Sequence, residues 1–139
     1  MANKVLSDLK VLELGQGISA AYCAKALADL GAEIIKIEPP GGEETRFTGP
    51  FPNDKPDPEK SGLFLSLNVN KKSVTLDLNS GEGRNVFLGL VRQSDVLIEN
   101  NTPMALEKLG VTYDVISKEN PNLVMTSITP FGQDGVIDV

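Results

Sequence analysis

The sequence predicts an α/β fold in which an open parallel sheet is flanked by helices. Three observations point there. The stretch Leu9 to Glu38, LKVLELGQGISAAYCAKALADLGAEIIKIE, runs strand, helix, strand within about 30 residues, the size of a right-handed βαβ crossover. Later apolar runs at Val74–Leu78, Val96–Ile98 and Leu123–Ile128 are separated by segments of helical periodicity. Each junction from strand to helix carries glycine or small polar residues, as a tight turn onto a helix start requires.

The first unit opens with Val11-Leu12 and Leu14 and turns at Gly15-Gln16-Gly17. On a 3.6-residue wheel Ala20, Cys23, Ala24, Leu27 and Leu30 share one face, with Lys25 and Asp29 opposite, so an amphipathic helix is expected. Gly31 stands where a left-handed C-cap is cheapest, and Ile34-Ile35 with Ile37 make a second buried strand. Gly15, Gly17 and Ala20 also satisfy the G-x-G-x-x-G/A spacing, and Glu38 follows about 20 residues on, where a dinucleotide-binding fold places its ribose-binding acid. A nicotinamide or flavin cofactor is one reading of that pattern. The other is that any tight strand-to-helix turn needs glycine, and that an acid before Pro39-Pro40 merely leaves the sheet.

From Pro39 to Lys60 the chain is PPGGEETRFTGPFPNDKPDPEK, too rich in proline and glycine for regular structure, and a surface loop is expected. Arg46, Phe47 and Phe51 are its candidate anchors. A loop of this length in a compact domain is functional or mobile. Leu63-Phe64-Leu65 and Leu67 form an apolar run, and Asn68 to Lys72 a polar turn with two adjacent cations. Val74, Leu76 and Leu78 then alternate with polar neighbours, the period of a half-buried strand. Lys71 and Lys72 lie at its start and are candidates for phosphate contact, set against a solvated turn.

Asn79 with Glu82 has capping-box spacing ahead of Val86, Phe87, Leu90 and Val91. Asp95 to Ile98 is a further strand, ending in Glu99-Asn100-Asn101. Thr102-Pro103 supplies an N-cap and a first-turn proline for a short helix closed by Gly110. Tyr113, Val115 and Ile116 mark another short helix, Asn120-Pro121-Asn122 breaks it, and Leu123-Val124-Met125 begins the last strand. A turn-rich exit, Pro130 to Gly135, follows. Because a domain rarely ends on a loop leaving the sheet at its ligand edge, the chain is expected to be a fragment.

Composition narrows the chemistry. With 139 residues the chain suits one core, a single domain over 1–139. A net charge of −6 disfavours a nucleic-acid surface. No run approaches the roughly 18 apolar residues of a membrane span, the stretch MANKVLSDLK lacks the apolar h-region of a signal peptide, and the lone Cys23 cannot close an intrachain disulfide. A cytoplasmic protein without membrane partners is expected. There is no histidine, which removes the commonest general base and most zinc sites, and no metal is expected.

The succession VLELGQGISAAYCAKALADLGAEIIKIEPPGG, ETR, LNVNKKSVTLDLNSGEGR, DVLIENNTP with LEKLG, and NPNLVMTSITPFGQDG resembles the N-terminal part of the family III CoA-transferases. α-Methylacyl-CoA racemases share this N-terminal half, so transferase and racemase both stay open. The resemblance implies a Rossmann-like domain binding coenzyme A in an enzyme of two interlocked subunits, a homodimer. It implies CoA contacts at Ile18 and Ser19, at Leu76, Asp77, Leu78 and Asn79, at Asn100, Asn101 and Thr102, and at Lys108. Pro39 stands where the family often has arginine, and Asn101-Thr102-Pro103-Met104 replaces a frequent phenylalanine-arginine-proline-glycine run. The implied reaction moves CoA from an acyl-CoA to a carboxylic acid through an aspartyl anhydride and an enzyme thioester. A carboxylate suits this because it is already ionised at neutral pH. By the resemblance that aspartate lies beyond the FGQDG turn, and neither Asp134 nor Asp138 matches it. The expected fragment is therefore inactive alone; the competing expectations are a stand-alone binding module without catalysis and an NAD-dependent oxidoreductase.

Overall fold

The computed structural model describes residues 4–133. Asp134 and Gly135, which close the expected exit turn, and Asp138 lie outside the described residues. Five strands, β1 (Lys10–Leu14), β2 (Glu33–Glu38), β3 (Lys71–Thr75), β4 (Val96–Glu99) and β5 (Val124–Ser127), form one sheet in the order β3-β2-β1-β4-β5. Every pairing is parallel. Helices α1 (Ser19–Asp29), α2 (Gly62–Leu67), α3 (Gly81–Val91), α4 (Pro103–Leu109) and α5 (Tyr113–Glu119) connect them. The strand order reverses direction between β1 and β4, the switch point at which an open α/β sheet forms a crevice at its carboxyl edge. Among the described residues no helix is long and apolar enough to cross a membrane.

Alternation along the strands divides the interior in two. Leu12, Leu14, Ile37 and Leu97 pack with Phe87 and Val91 of α3, Leu106 of α4 and Ile116 of α5. On the other face Val11, Ile34 and Ile98 meet Ala20, Ala24 and Ala28 of α1. The buried face of α1 is thus alanine, which lets the helix lie close to the sheet. Cys23 and Leu27 are half-buried, and Leu30, expected on that face, is 52% exposed. It falls past the end of α1, where the chain has begun its turn through Gly31 at φ +109°.

Other boundaries shift for local reasons. The expected strand through Leu78 ends at Thr75, because β2 stops at Glu38 and the Pro39-Pro40 pair cannot extend the ladder. The last bond between the strands is Leu76 N–H to Glu38 O at 2.9 Å. The apolar run at Leu63 is α2, whose N-cap Ser61 accepts from Phe64 N–H. Ser80 caps α3 through Gly83 N–H, one residue later than the Asn79 cap expected. Thr102 caps α4 as expected, with Pro103 in the first turn and Gly110 left-handed at φ +70°.

The α1 face of the sheet also holds charges. Glu13, Lys36 and Glu43 are buried, and the Lys71 side chain is only 2% exposed. Lys36 Nζ lies 2.6 Å from Glu13 Oε1 and 3.7 Å from Glu43 Oε1, and Lys71 Nζ lies 2.7 Å from Glu13 Oε2. Removing one member of such a cluster leaves a buried charge without its partner. Lys36→Met should lower unfolding free energy by about 3–5 kcal/mol in urea titrations. Lys72→Met, which breaks the exposed pair with Glu33, should cost about 0–1 kcal/mol.

Candidate functional site

The carboxyl ends of β1, β2 and β3 enclose a crevice of about 210 Å³. Its floor and walls are Leu14, Ile37, Leu76, Leu78 and Leu109 with Pro39 and Pro40, and its polar lining is Gln16, Asp77, Asn79 and Asn101. Five of the twelve expected contact residues therefore meet in one place: Leu76, Asp77, Leu78, Asn79 and Asn101. They share it because β3 ends early and the chain from Leu76 to Asn79 turns across the strand tips.

Asp77 is tied to that turn, its Oδ1 accepting from Asn79 N–H at 3.0 Å and from Asn79 Nδ2 at 3.3 Å. Helix α3 then packs directly on the turn. A methyl group at Gly83 would overlap the carbonyl of Asp77, so this glycine sets how near α3 comes to the crevice wall. Nothing in the local sequence marked it, since the contact joins the α3 start to the end of the preceding strand.

Ile18, Ser19, Asn100, Thr102 and Lys108 stand outside the crevice lining. Ile18 is exposed at the N-cap of α1. Asn100 works as a clasp between β4 and the glycine turn: its Oδ1 accepts from Gln16 N–H at 2.9 Å, and its Nδ2 donates to Gln16 O and Ser19 Oγ. Thr102 is occupied as the α4 cap. Lys108 is exposed in the last turn of α4, whereas its neighbour Leu109 lines the crevice.

Lys71 and Lys72 do not reach this rim. Both belong to the amino end of β3, paired with Ile34 and Ile35. Lys71 Nζ spends its donors on Glu13, the carbonyl of Ala21 at 2.8 Å and Asn68 Oδ1 at 2.9 Å. Burial pushes its pKa down, opposed by the charge of Glu13. Lys72 pairs with Glu33. The expectation of phosphate contact from this lysine pair at the crevice is corrected: side-chain position follows strand polarity, and these residues begin a strand whose far end carries the crevice.

The glycine turn departs from a dinucleotide-binding cradle as well. Such a cradle needs free backbone N–H groups aimed at a diphosphate. Here Gln16 N–H is taken by Asn100, and Gly17 N–H by Glu43 Oε2 at 3.2 Å. A carboxylate thus takes one of the amides that such a cradle would offer to a phosphate. Glu38 is equally engaged. Arg46 Nε and Nη2 hold its two oxygens at 2.6 and 2.9 Å, and Ser73 Oγ and Glu43 N–H donate to it. A ribose would find no acceptor there.

The same contacts fasten the 39–60 segment, which contains two single 3₁₀ turns, Glu44–Phe47 and Pro52–Asp54. Arg46 also donates to Pro58 O and Glu59, and its guanidinium lies 3.8 Å from the centroid of the Phe64 ring. Of the expected anchors Arg46 is the one that holds; Phe47 is 61% exposed and Phe51 half-buried.

A profile of CoA-transferase family III matches residues 6–138. The chain belongs to CoA-transferase family III. It is 41% identical over 127 residues to succinyl-CoA:mesaconate CoA-transferase of Haloarcula hispanica, covering 91% of this chain and 32% of that protein. It is 38% identical over 133 residues to formyl-CoA:oxalate CoA-transferase of Streptomyces coelicolor, covering 96% of this chain and 32% of the relative. Among solved structures, a CAIB/BAIF family protein from Brucella suis superposes with a TM-score of 0.87 at 36% identity, covering 96% of this chain and 35% of that one. The chain spans about a third of the length of the curated relatives it matches.

Glu38 titration provides a test of the latch. Burial favours the protonated acid, but the hydrogen bonds from Arg46 and Ser73 and the Arg46 charge outweigh it and lower the pKa from 4.5 to about 2. A depressed carboxyl pKa adds stability that is complete above the unfolded value and disappears as pH falls through the folded one. The wild-type urea midpoint should therefore drop between about pH 5 and pH 2 by more than that of Glu38→Gln. At pH 7 Glu38→Gln should cost about 1.5–3 kcal/mol, the range for hydrogen bonds to a charged group.

Proposed function

We propose that this chain provides the CoA-binding portion of an enzyme that transfers CoA between an acyl-CoA and a carboxylic acid. The observation that carries this reading is the crevice itself: the Leu76–Asn79 segment implied by the family resemblance converges with Asn101 on an apolar floor at the strand tips. The occupied amides of the glycine turn and the occupied Glu38 weigh against a nicotinamide dinucleotide at the same edge.

A volume of about 210 Å³ is less than the roughly 300–1,000 Å³ of a site that encloses a whole drug-sized ligand. The crevice accordingly takes one end of CoA, with the rest lying across the rim toward Ile18, Asn100, Thr102 and Lys108. The chain's own residues bind and orient the carrier. Asp77 is the one acid in the lining among the described residues, and it is committed to the Asn79 turn. By the family resemblance, the nucleophilic aspartate lies beyond the FGQDG turn, and this chain's part is to bind the carrier. The assembly with a second copy as a homodimer and a cytoplasmic setting belong to this proposal.

Calorimetric titration of the 139-residue chain should give saturable CoA binding that NAD does not displace. Leu76→Glu, which brings a charge onto the crevice wall, should weaken CoA at least about tenfold, a loss of about 1.4 kcal/mol, while circular dichroism stays unchanged. Acyl transfer to a carboxylic acid by this chain alone should be undetectable; turnover would contradict the assignment of the nucleophile elsewhere. Binding displaced by NAD and insensitive to Leu76→Glu would overturn the CoA reading.

A further inference from the structure

Glu99 and Asn101 form a unit that packing alone does not explain. Glu99 ends β4, is fully buried, and by strand alternation shares the face of the sheet on which Leu97 packs against the core. Its Oε2 accepts from Asn101 N–H at 2.7 Å and from Asn101 Nδ2 at 3.3 Å, while its Oε1 has no partner among the described residues. Asn101 Nδ2 also donates to Leu14 O, at 2.7 Å, at the tip of β1. A carboxylate oxygen and a carbonyl oxygen are both acceptors, so they demand the NH₂ half of the amide and determine which way it is turned. The carbonyl Oδ1 is then the polar atom that this crevice-lining side chain can offer a ligand, and it accepts no hydrogen bond within the described residues.

Charge limits what that ligand group is. Among the described residues the crevice lining contains no lysine or arginine, and its one ionisable side chain is Asp77. A phosphate placed there would face a carboxylate with no cation to offset the repulsion and the lost hydration. A neutral group carrying an N–H donor loses little on entering and gains an acceptor already in position.

Resting on the CoA-binding reading, we infer that the crevice receives an uncharged end of the ligand through an N–H donated to Asn101 Oδ1. Glu99 is the positioning residue that orients this acceptor. The phosphates stay outside. Two parts of CoA carry the required chemistry, the exocyclic amine of its purine and the amide N–H groups of its pantetheine arm, and the probes below distinguish them.

The test is calorimetry of wild type, Asn101→Leu, Glu99→Gln and Glu99→Leu with CoA, adenosine, purine riboside and pantetheine, folding being checked by circular dichroism. Purine riboside is adenosine without the amine. Loss of one neutral hydrogen bond corresponds to about a 2- to 13-fold weakening. Asn101→Leu should weaken CoA by that factor, together with either adenosine but not purine riboside, which assigns the purine amine, or pantetheine alone, which assigns the arm. Glu99→Gln keeps an oxygen for Asn101 and should bind as wild type does, whereas Glu99→Leu should match Asn101→Leu. If Asn101→Leu leaves CoA unchanged, or weakens both nucleosides and pantetheine by the same factor, the inference fails while the CoA-binding reading stands. If Glu99→Gln loses as much as Glu99→Leu, the positioning role is wrong. Wild type that binds no CoA overturns both readings.

Discussion

Two acids and two lysines with almost no access to water cluster on the α1 side of the sheet: Glu13, Lys36, Glu43 and Lys71. Isolated charges in such a place cost several kcal/mol each, and they persist only where opposite charges and hydrogen bonds meet every one of them. Here the two signs balance, and the cluster joins four separated pieces of chain. Glu13 comes from β1, Lys36 from β2, Lys71 from β3 and Glu43 from the loop after β2. Apolar packing would tolerate small slips among these pieces; paired charges in a water-poor layer do not. The alanine face of α1 allows the helix to approach closely, and the charged layer lies beside it, nearer the free edge of the sheet.

The shape of the functional edge follows from that layer. Glu43 faces inward to Lys36 with one oxygen and toward the glycine turn with the other, so the turn is held by the same residue that anchors the loop. Glu38 and Arg46 continue the arrangement outward and fasten the loop as far as Glu59. Asn100 closes the turn from the other side. With its amides consumed in this way, a glycine pattern that elsewhere holds diphosphate becomes a structural clasp. The open space at this edge is the apolar crevice beside it, where β3 ends and Leu76 to Asn79 cross the strand tips.

Much of the architecture was legible in the order of residues. Period-two and period-3.6 alternation identified the strands and most helices, and Thr102-Pro103 with Gly110 delimited α4 because capping is chemistry between near neighbours in sequence. The errors have a common origin in distance along the chain. Leu30 was assigned to the buried face by its place on the helical wheel, although α1 had already ended. Lys71 and Lys72 were candidates for phosphate contact because they are adjacent cations in an otherwise acidic chain, yet nothing local says which end of the sheet their strand begins on. Their partners, Glu13 and Glu33, are 58 and 39 positions away.

The sequence by itself determined the α/β class, the parallel crossovers and the family, since each depends on local periodicity or on an ordered set of short motifs. It also placed Leu76 to Asn79 and Asn101 among the candidate contacts. Only the tertiary structure decided which polar groups remain available. Gly17 N–H, Glu38 and Lys71 are consumed by partners distant in sequence, while Asn101 is turned by Glu99 and Leu14 so that its oxygen has no partner among the described residues. A hydrogen bond or an ion pair can be used only once, and which one is used is a property of three-dimensional neighbours.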